Sequence, residues 1–196
     1  RDTVVYPGVI LEGKTKIGQG CSIIGASRII ESKIGDNVEI VSSQIQYSKI
    51  SDNVKIGPFT NLRPNCEISP GVKIGDFVEL KNTKVGKGTK IPHLSYLGDT
   101  TLGENINIGA GVIVVNYDGY KKHPTIIGDN AIIGCNSNLV APVRIEEGSF
   151  VAAGSTITKK VPKDSLAIAR DRQINKIDWV KKRRQKIERG NSCNKK

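Results

Sequence analysis

Aliphatic residues return at every sixth position along most of this chain, and small or polar residues fill the places between them. One unbroken series is Ile50, Ile56, Leu62, Ile68, Ile74, Leu80; after five-residue steps it resumes as Val85, Ile91, Leu97 and as Leu102, Ile108, Val114. A later series runs Ile127, Ile133, Leu139, Ile145, Val151, Ile157, and Ile17, Ile23, Ile34 and Ile40 follow the rule more loosely. A period of six fits neither an α-helix nor a heptad. It predicts an all-β solenoid, in which each repeat buries its apolar face on the next. Each hexad reads as a short strand and a corner, three hexads make a triangular coil, and coils stack ~4.8 Å apart. Small or β-branched residues four places after the aliphatic one, such as Thr60, Val78, Ser95 and Ser137, suit the strands. Glycine often follows the aliphatic residue directly, as at Gly75, Gly86, Gly109 and Gly134, and is expected to supply a positive φ at the corner. About eight or nine coils fit between residues 4 and 160, a prism on the order of 40 Å long. One segment, Val115 to Ile126, breaks the rhythm and is predicted as a loop.

Past Val161 the repeat stops. Residues 1–161 are read as the solenoid domain and residues 162–196 as a basic C-terminal segment. A short helix is predicted over 173–189, with Ile174, Ile177 and Val180 on one face and Gly190 ending it. Charge follows the same division. Residues 1–158 hold 16 Lys+Arg against 15 Asp+Glu, whereas residues 159–196 hold 14 against 4. A basic tail suits an anionic partner, but no RNA-recognition aromatics, finger spacing or helix-turn-helix pattern accompanies it, so no nucleic-acid partner is expected.

Cys21, Cys66, Cys135 and Cys193 are scattered without zinc or redox spacing, and reduced thiols of a cytoplasmic protein are the expectation. No apolar run is long enough for a membrane span, and no apolar segment of the secretory type opens the chain. The chain starts at Arg1 and contains no Met, which is read as part of a longer protein.

Because residues one coil apart lie above one another, the register predicts a map. Arg63 and Lys81 are expected to stack as neighbouring cations, a cradle for phosphate. His93 stands at one end of a column whose next members are Ala110, Cys135 and Ala153, a groove of small side chains aimed toward Arg170. Three coils span ~14 Å, the reach of an extended pantetheine arm. Imidazole, small column and cations are expected along one shared edge of the rod.

Eight segments carry a family resemblance: IGPFTNLRP (56–64), IGDFVELKN (74–82), PHLSYLGD (92–99), NIGAG (107–111), VNYDG (115–119), SNLVAPV (137–143), VAAGSTIT (151–158) and AIARDRQIN (167–175). They resemble the acetyltransferase half of bifunctional N-acetylglucosamine-1-phosphate uridyltransferase/glucosamine-1-phosphate acetyltransferases, from about residue 4 to residue 185. The resemblance implies a left-handed parallel β-helix. It also implies a homotrimer with sites between subunits, and acetyl transfer from acetyl-CoA to the amine of glucosamine-1-phosphate in the UDP-N-acetylglucosamine pathway of cell-wall biogenesis, with no metal. It makes His93 the general base and Glu79 the carboxylate supporting it. Arg63, Lys81, Tyr96, Asn107 and Lys122 become sugar-phosphate contacts. Ala110, Asn116, Tyr117, Cys135, Ala153 and Arg170 become contacts of acetyl-CoA. Position 135 departs from the family, which has Ser there as often as Cys. No nucleotidyltransferase motif is present, so uridyl transfer is not expected.

Three alternatives stand beside this reading. A carbonic anhydrase on the same solenoid needs three zinc-bound histidines, and only His93 and His123 exist. Another hexapeptide-repeat acyltransferase would differ in its acceptor pocket, where the Arg63/Lys81 pair argues for a phosphorylated acceptor. A scaffold or nucleic-acid-binding module would show salt-sensitive nucleic-acid retention and no thiol release from acetyl-CoA.

Overall fold

The computed structural model describes the backbone of residues 1–193 and the side chains of residues 1–187. The hexad series winds into a parallel β-solenoid of three sheets with ten, nine and eight strands. Within each sheet strands pair with the strand three elements away, except at the C-terminal end of the ten-stranded sheet where the step is two, so each complete coil contributes one strand to each sheet. All eighteen residues of the two main aliphatic series are at most 4% exposed. They form the single core of the prism, continuous from Cys21 to Val161. The residues four places on are buried too and fill the interior at the corners. Where they are hydroxylic they satisfy themselves on the backbone, as Thr60 Oγ1 does on the Gly75 carbonyl at 2.7 Å and Ser137 Oγ on that of Gly134 at 2.7 Å.

Gly75, Gly86, Gly109 and Gly134 are required for a different reason than the one expected. None of them has a positive φ. A Cβ on Gly109 would sit 2.6 Å from the Cys135 nitrogen, and one on Gly134 would sit 2.5 Å from the Ala153 nitrogen. These glycines let one coil lie against the backbone of the next. The left-handed φ falls two residues later, at Phe77, Gly88, Gly111 and Asn136.

The solenoid runs further than the pattern indicated. The strand Leu166–Ala167 pairs with Phe150–Val151 as the last rung of the ten-stranded sheet. The C-terminal helix is shifted, spanning Trp179–Cys193 and passing through Gly190. Asp178 sets its start: a φ of 58° keeps this residue outside the helix, while its carbonyl accepts the first helical bond from the Lys182 N–H at 2.9 Å. Ile174 and Ile177, the supposed apolar face, lie before it at 81% and 78% exposure. Among the described residues no helix is long and apolar enough to cross a membrane.

Candidate functional site

The outer face of the nine-stranded sheet is the floor of the site. Strands Asn61–Leu62, Glu79–Lys81, Tyr96–Gly98 and Ile113–Val115 follow one another across it. Their inward residues, Leu62, Leu80 and Leu97, are fully buried, and their outward residues stack as Asn61, Glu79, Tyr96. The next outward positions are Arg63 and Lys81, brought level by the Arg63 N–H bonding the Leu80 carbonyl at 2.8 Å. The stacked cations expected from the spacing therefore stand on one face.

Lys122 joins them. It arrives from the loop between Ile113–Val115 and Thr125–Ile127, which folds back on itself through an antiparallel bridge between Tyr117 and Lys122. Lys122 is the first cause, and Arg63 the next, that holds the Lys81 ammonium below the usual lysine range. Three cations face two carboxylates, Glu79 in contact with Arg63 and Asp99 acting on Lys81, and the centre keeps an excess of positive charge. Glu79 Oε1 accepts from Arg63 Nη1 at 2.9 Å and raises the arginine's proton affinity further. The bond also leans the guanidinium back over the middle of the sheet.

The loop is locked from within. Asp118 Oδ1 accepts from the N–H groups of Tyr120 and Lys121, each at 2.8 Å, and Oδ2 lies 2.6 Å from His123 Nε2. These bonds, the Lys121 amide first, hold the carboxyl at a pKa of about 2. Asp99 anchors the loop base, accepting from Asn82 Nδ2 and Asn116 Nδ2 at 2.6 Å each. Gly98 leaves room beside it for the ends of two side chains, since a Cβ there would meet the Tyr96 hydroxyl and sit 2.6 Å from Asn116 Nδ2.

His93 ends the strand Lys90–His93 of the ten-stranded sheet, at the opposite border of the floor. Its column is as predicted: Lys90 pairs with Asn107, Ile108 with Ile133, and Ile133 with Val151, which sets His93, Ala110, Cys135 and Ala153 in line. Arg170 closes the line, its Cδ 3.7 Å from where a Cβ on Gly154 would lie. Cys135 is exposed, and among the described residues no histidine or carboxylate bonds its thiol. By contrast, Cys21 and Cys66 are buried, and burial pushes the Cys66 thiol up to about 11.

Three expectations are corrected. Imidazole and cations do not share an edge; they stand on opposite borders of one sheet face, because His93 lies before the corner and Arg63 and Lys81 lie beyond the strand that follows it. Glu79 is not the carboxylate on His93: Asp76 is, with Oδ1 at 2.5 Å from Nδ1. The register explains this, since Asp76 is the Cα partner of His93 whereas Glu79 is that of Tyr96. The positions assigned to acetyl-CoA also divide. Ala110, Cys135 and Ala153 line the His93 border, while Asn116, buried and committed to Asp99, and Tyr117, bonded through its hydroxyl to the Gly119 carbonyl at 2.6 Å, belong to the far loop. Asn107 lies on the ten-stranded sheet, around the corner from the cations. Sequence reasoning missed Asp76, although seventeen residues before His93 is its register position. It also missed Asn61, whose Oδ1 is shielded from solvent with no hydrogen-bond partner on the floor itself. No group of acidic, Cys and His residues that could hold a metal exists among the described residues.

The bacterial transferase hexapeptide family (six repeats) matches residues 47–82 and 124–159. The bifunctional protein GlmU of Caldicellulosiruptor saccharolyticus is 59% identical over 188 residues, covering 96% of this chain and 41% of that protein. GlmU of Listeria monocytogenes is 53% identical over 181 residues, covering 92% and 40%. The chain thus spans about two fifths of the length of the curated relatives it matches. Among solved structures, the UDP-N-acetylglucosamine acyltransferase of Campylobacter jejuni superposes with a TM-score of 0.61 at 19% identity, covering 92% of this chain and 77% of that one. That likeness shows the fold. The chain belongs to the hexapeptide-repeat transferases and matches the hexapeptide-repeat part of bifunctional GlmU proteins.

Proposed function

We propose that this chain transfers an acetyl group from acetyl-CoA to the amine of glucosamine-1-phosphate, as one half of a bifunctional enzyme of UDP-N-acetylglucosamine synthesis. The observation that carries the reading is the convergence of Arg63, Lys81 and Lys122 across a sheet face from a histidine. A phosphate dianion supplies the charge this cluster lacks and relieves the repulsion that lowers Lys81. The Tyr96 hydroxyl offers the sugar a hydrogen bond on the floor between. The amine then points toward His93. As its nitrogen attacks the thioester carbonyl carbon, the imidazole takes the proton; the C–S bond breaks, and the departing CoA thiolate takes up that proton. The small column gives the pantetheine arm a track, and Arg170 meets the CoA phosphates at its end. Transfer is direct, since nothing is placed to activate Cys135.

The two groups of CoA positions lie on different borders of one prism, which supports a homotrimer in which the 116–124 loop of one subunit meets the Ala110–Ala153 column of the next. Residues 1–161 supply the acyl-transfer surface and the basic segment caps it. No metal takes part, and the enzyme works in the cytoplasm.

Release of free thiol from acetyl-CoA tests the reading. Glucosamine-1-phosphate should drive release at least tenfold faster than glucosamine or glucosamine-6-phosphate. Equal rates with all three, or none, would overturn it.

A further inference from the structure

The coils carrying Asp76 and His93 are built alike. Ile74 and Ile91 are buried and paired, Gly75 and Pro92 follow, and then Asp76 and His93 face each other as Cα partners. After them Phe77 and Leu94 take left-handed φ values of 55° and 45°, and Val78 and Ser95 turn inward again. The Leu94 N–H bonds the Asp76 carbonyl at 2.9 Å, tying the two corners together. Buried residues thus fix the backbone on both sides of each functional side chain. Gly75 is part of this arrangement, because a Cβ there would strike the Pro92 carbonyl oxygen.

We infer that Asp76 is the positioning carboxylate of His93, holding the proton on Nδ1 so that Nε2 presents its lone pair to the acceptor amine. The inference rests on the acetyl-transfer reading above and assigns its charge support to a residue outside the family-implied set. A neutral imidazole has one N–H and one lone pair, and a carboxylate on one nitrogen selects the tautomer with the proton there. When His93 takes the amine proton, Asp76 faces the imidazolium and stabilises it. The contact also holds the Asp76 carboxyl below the ordinary carboxylate range, the His93 hydrogen bond being the first cause.

Other groups do not duplicate this role. Among the strands packed against Lys90–His93, Lys73–Asp76 brings Lys73 and Asp76, and Asn107–Ile108 brings no charge. Lys90 lies on the same strand as His93 and points from the outer face of the ten-stranded sheet, as its partner Lys73 does. Across the corner stand Tyr96 and Glu79, and Glu79 is engaged by Arg63. The two carboxylates thereby have separate work: Asp76 serves the base, and Glu79 sets the guanidinium that meets phosphate.

The test compares Asp76→Asn and Glu79→Gln in the full chain by steady-state kinetics across pH, with Asp76→Glu as the conservative rescue. Asp76→Asn should lower kcat by about 10²–10⁴-fold, as expected when a histidine base loses its orienting carboxylate, with KM for both substrates within about twofold. Its acidic limb in kcat/KM should move to lower pH, because the imidazolium has lost its counter-charge. Asp76→Glu should recover part of kcat. Glu79→Gln should raise KM for glucosamine-1-phosphate and leave the acidic limb in place. An unchanged kcat and limb in Asp76→Asn, with both moved in Glu79→Gln, would overturn the inference while leaving acetyl transfer intact. A wild-type chain with no acetyl transfer would instead defeat the reading on which it rests.

Discussion

Between Phe59 and Gly154 the border of the prism that carries His93 has two halves with the same left-handed corner and opposite side chains. In the first half the left-handed position is filled by Phe59, Phe77 and Leu94, with φ of 58°, 55° and 45°; in the second it is filled by Gly111, Asn136 and Gly154, with φ of 74°, 54° and 72°. The three large residues are 56–59% exposed, and the two Phe rings stack at 5.3 Å. A left-handed φ is costly for bulky side chains, and the glycines would relieve it at no loss to the core. The coil dictates the backbone at this corner and leaves the side chain open. One half has used that freedom to frame Asp76 and His93 with apolar walls. The other half keeps Ala110, Cys135 and Ala153 low, as a track.

Four substitutions or conditions sharpen this contrast. His93→Ala should lower kcat by roughly 10²–10⁴-fold with an unchanged melting temperature; retained activity would remove the first half of the border from the chemistry. Gly109→Val should cost about 1–3 kcal/mol of stability by overpacking, since its Cβ would meet the Cys135 nitrogen at 2.6 Å, and denaturant unfolding measures it. Ala153→Phe should leave stability alone and raise KM for acetyl-CoA about tenfold by filling the track; an unchanged KM would show that the second half is only a corner. The smallest effect is on the loop. Asp118 titrates in the fold at about 2, below the ordinary carboxylate value of ~3.9. Its contribution is therefore complete above that ordinary value and is lost as pH falls toward about 2. The protection factors of the Tyr120 and Lys121 amides, relative to intrinsic exchange at each pH, should fall as pH drops through that window and stay level above it.

The period of six made most of the fold legible, because an inward aliphatic residue at each strand is a condition of closing the coil. It misled over glycine, since close approach between coils and positive φ leave the same residue type in a sequence. It misplaced the helix, because Ile174, Ile177 and Val180 satisfy a helical spacing that the backbone at Asp178 interrupts. The column from His93 to Ala153 followed from register alone. The carboxylate on His93 did not follow from resemblance: Glu79 and Asp76 are three residues apart, and which one reaches the ring depends on the side of the corner each occupies. Lys122 was reachable only through the resemblance, because a loop excursion carries no periodic signal.

The account stands on cations and base sharing one sheet face so that a phosphorylated amine spans them. The ratio of kcat/KM for glucosamine-1-phosphate to that for glucosamine, measured in wild type and in the Arg63→Ala, Lys81→Ala double variant, tests this most directly. The wild type should prefer the phosphorylated acceptor by tenfold or more, and the double variant should bring the ratio close to one while still acetylating glucosamine at the wild-type rate. A double variant that keeps the full preference would contradict it.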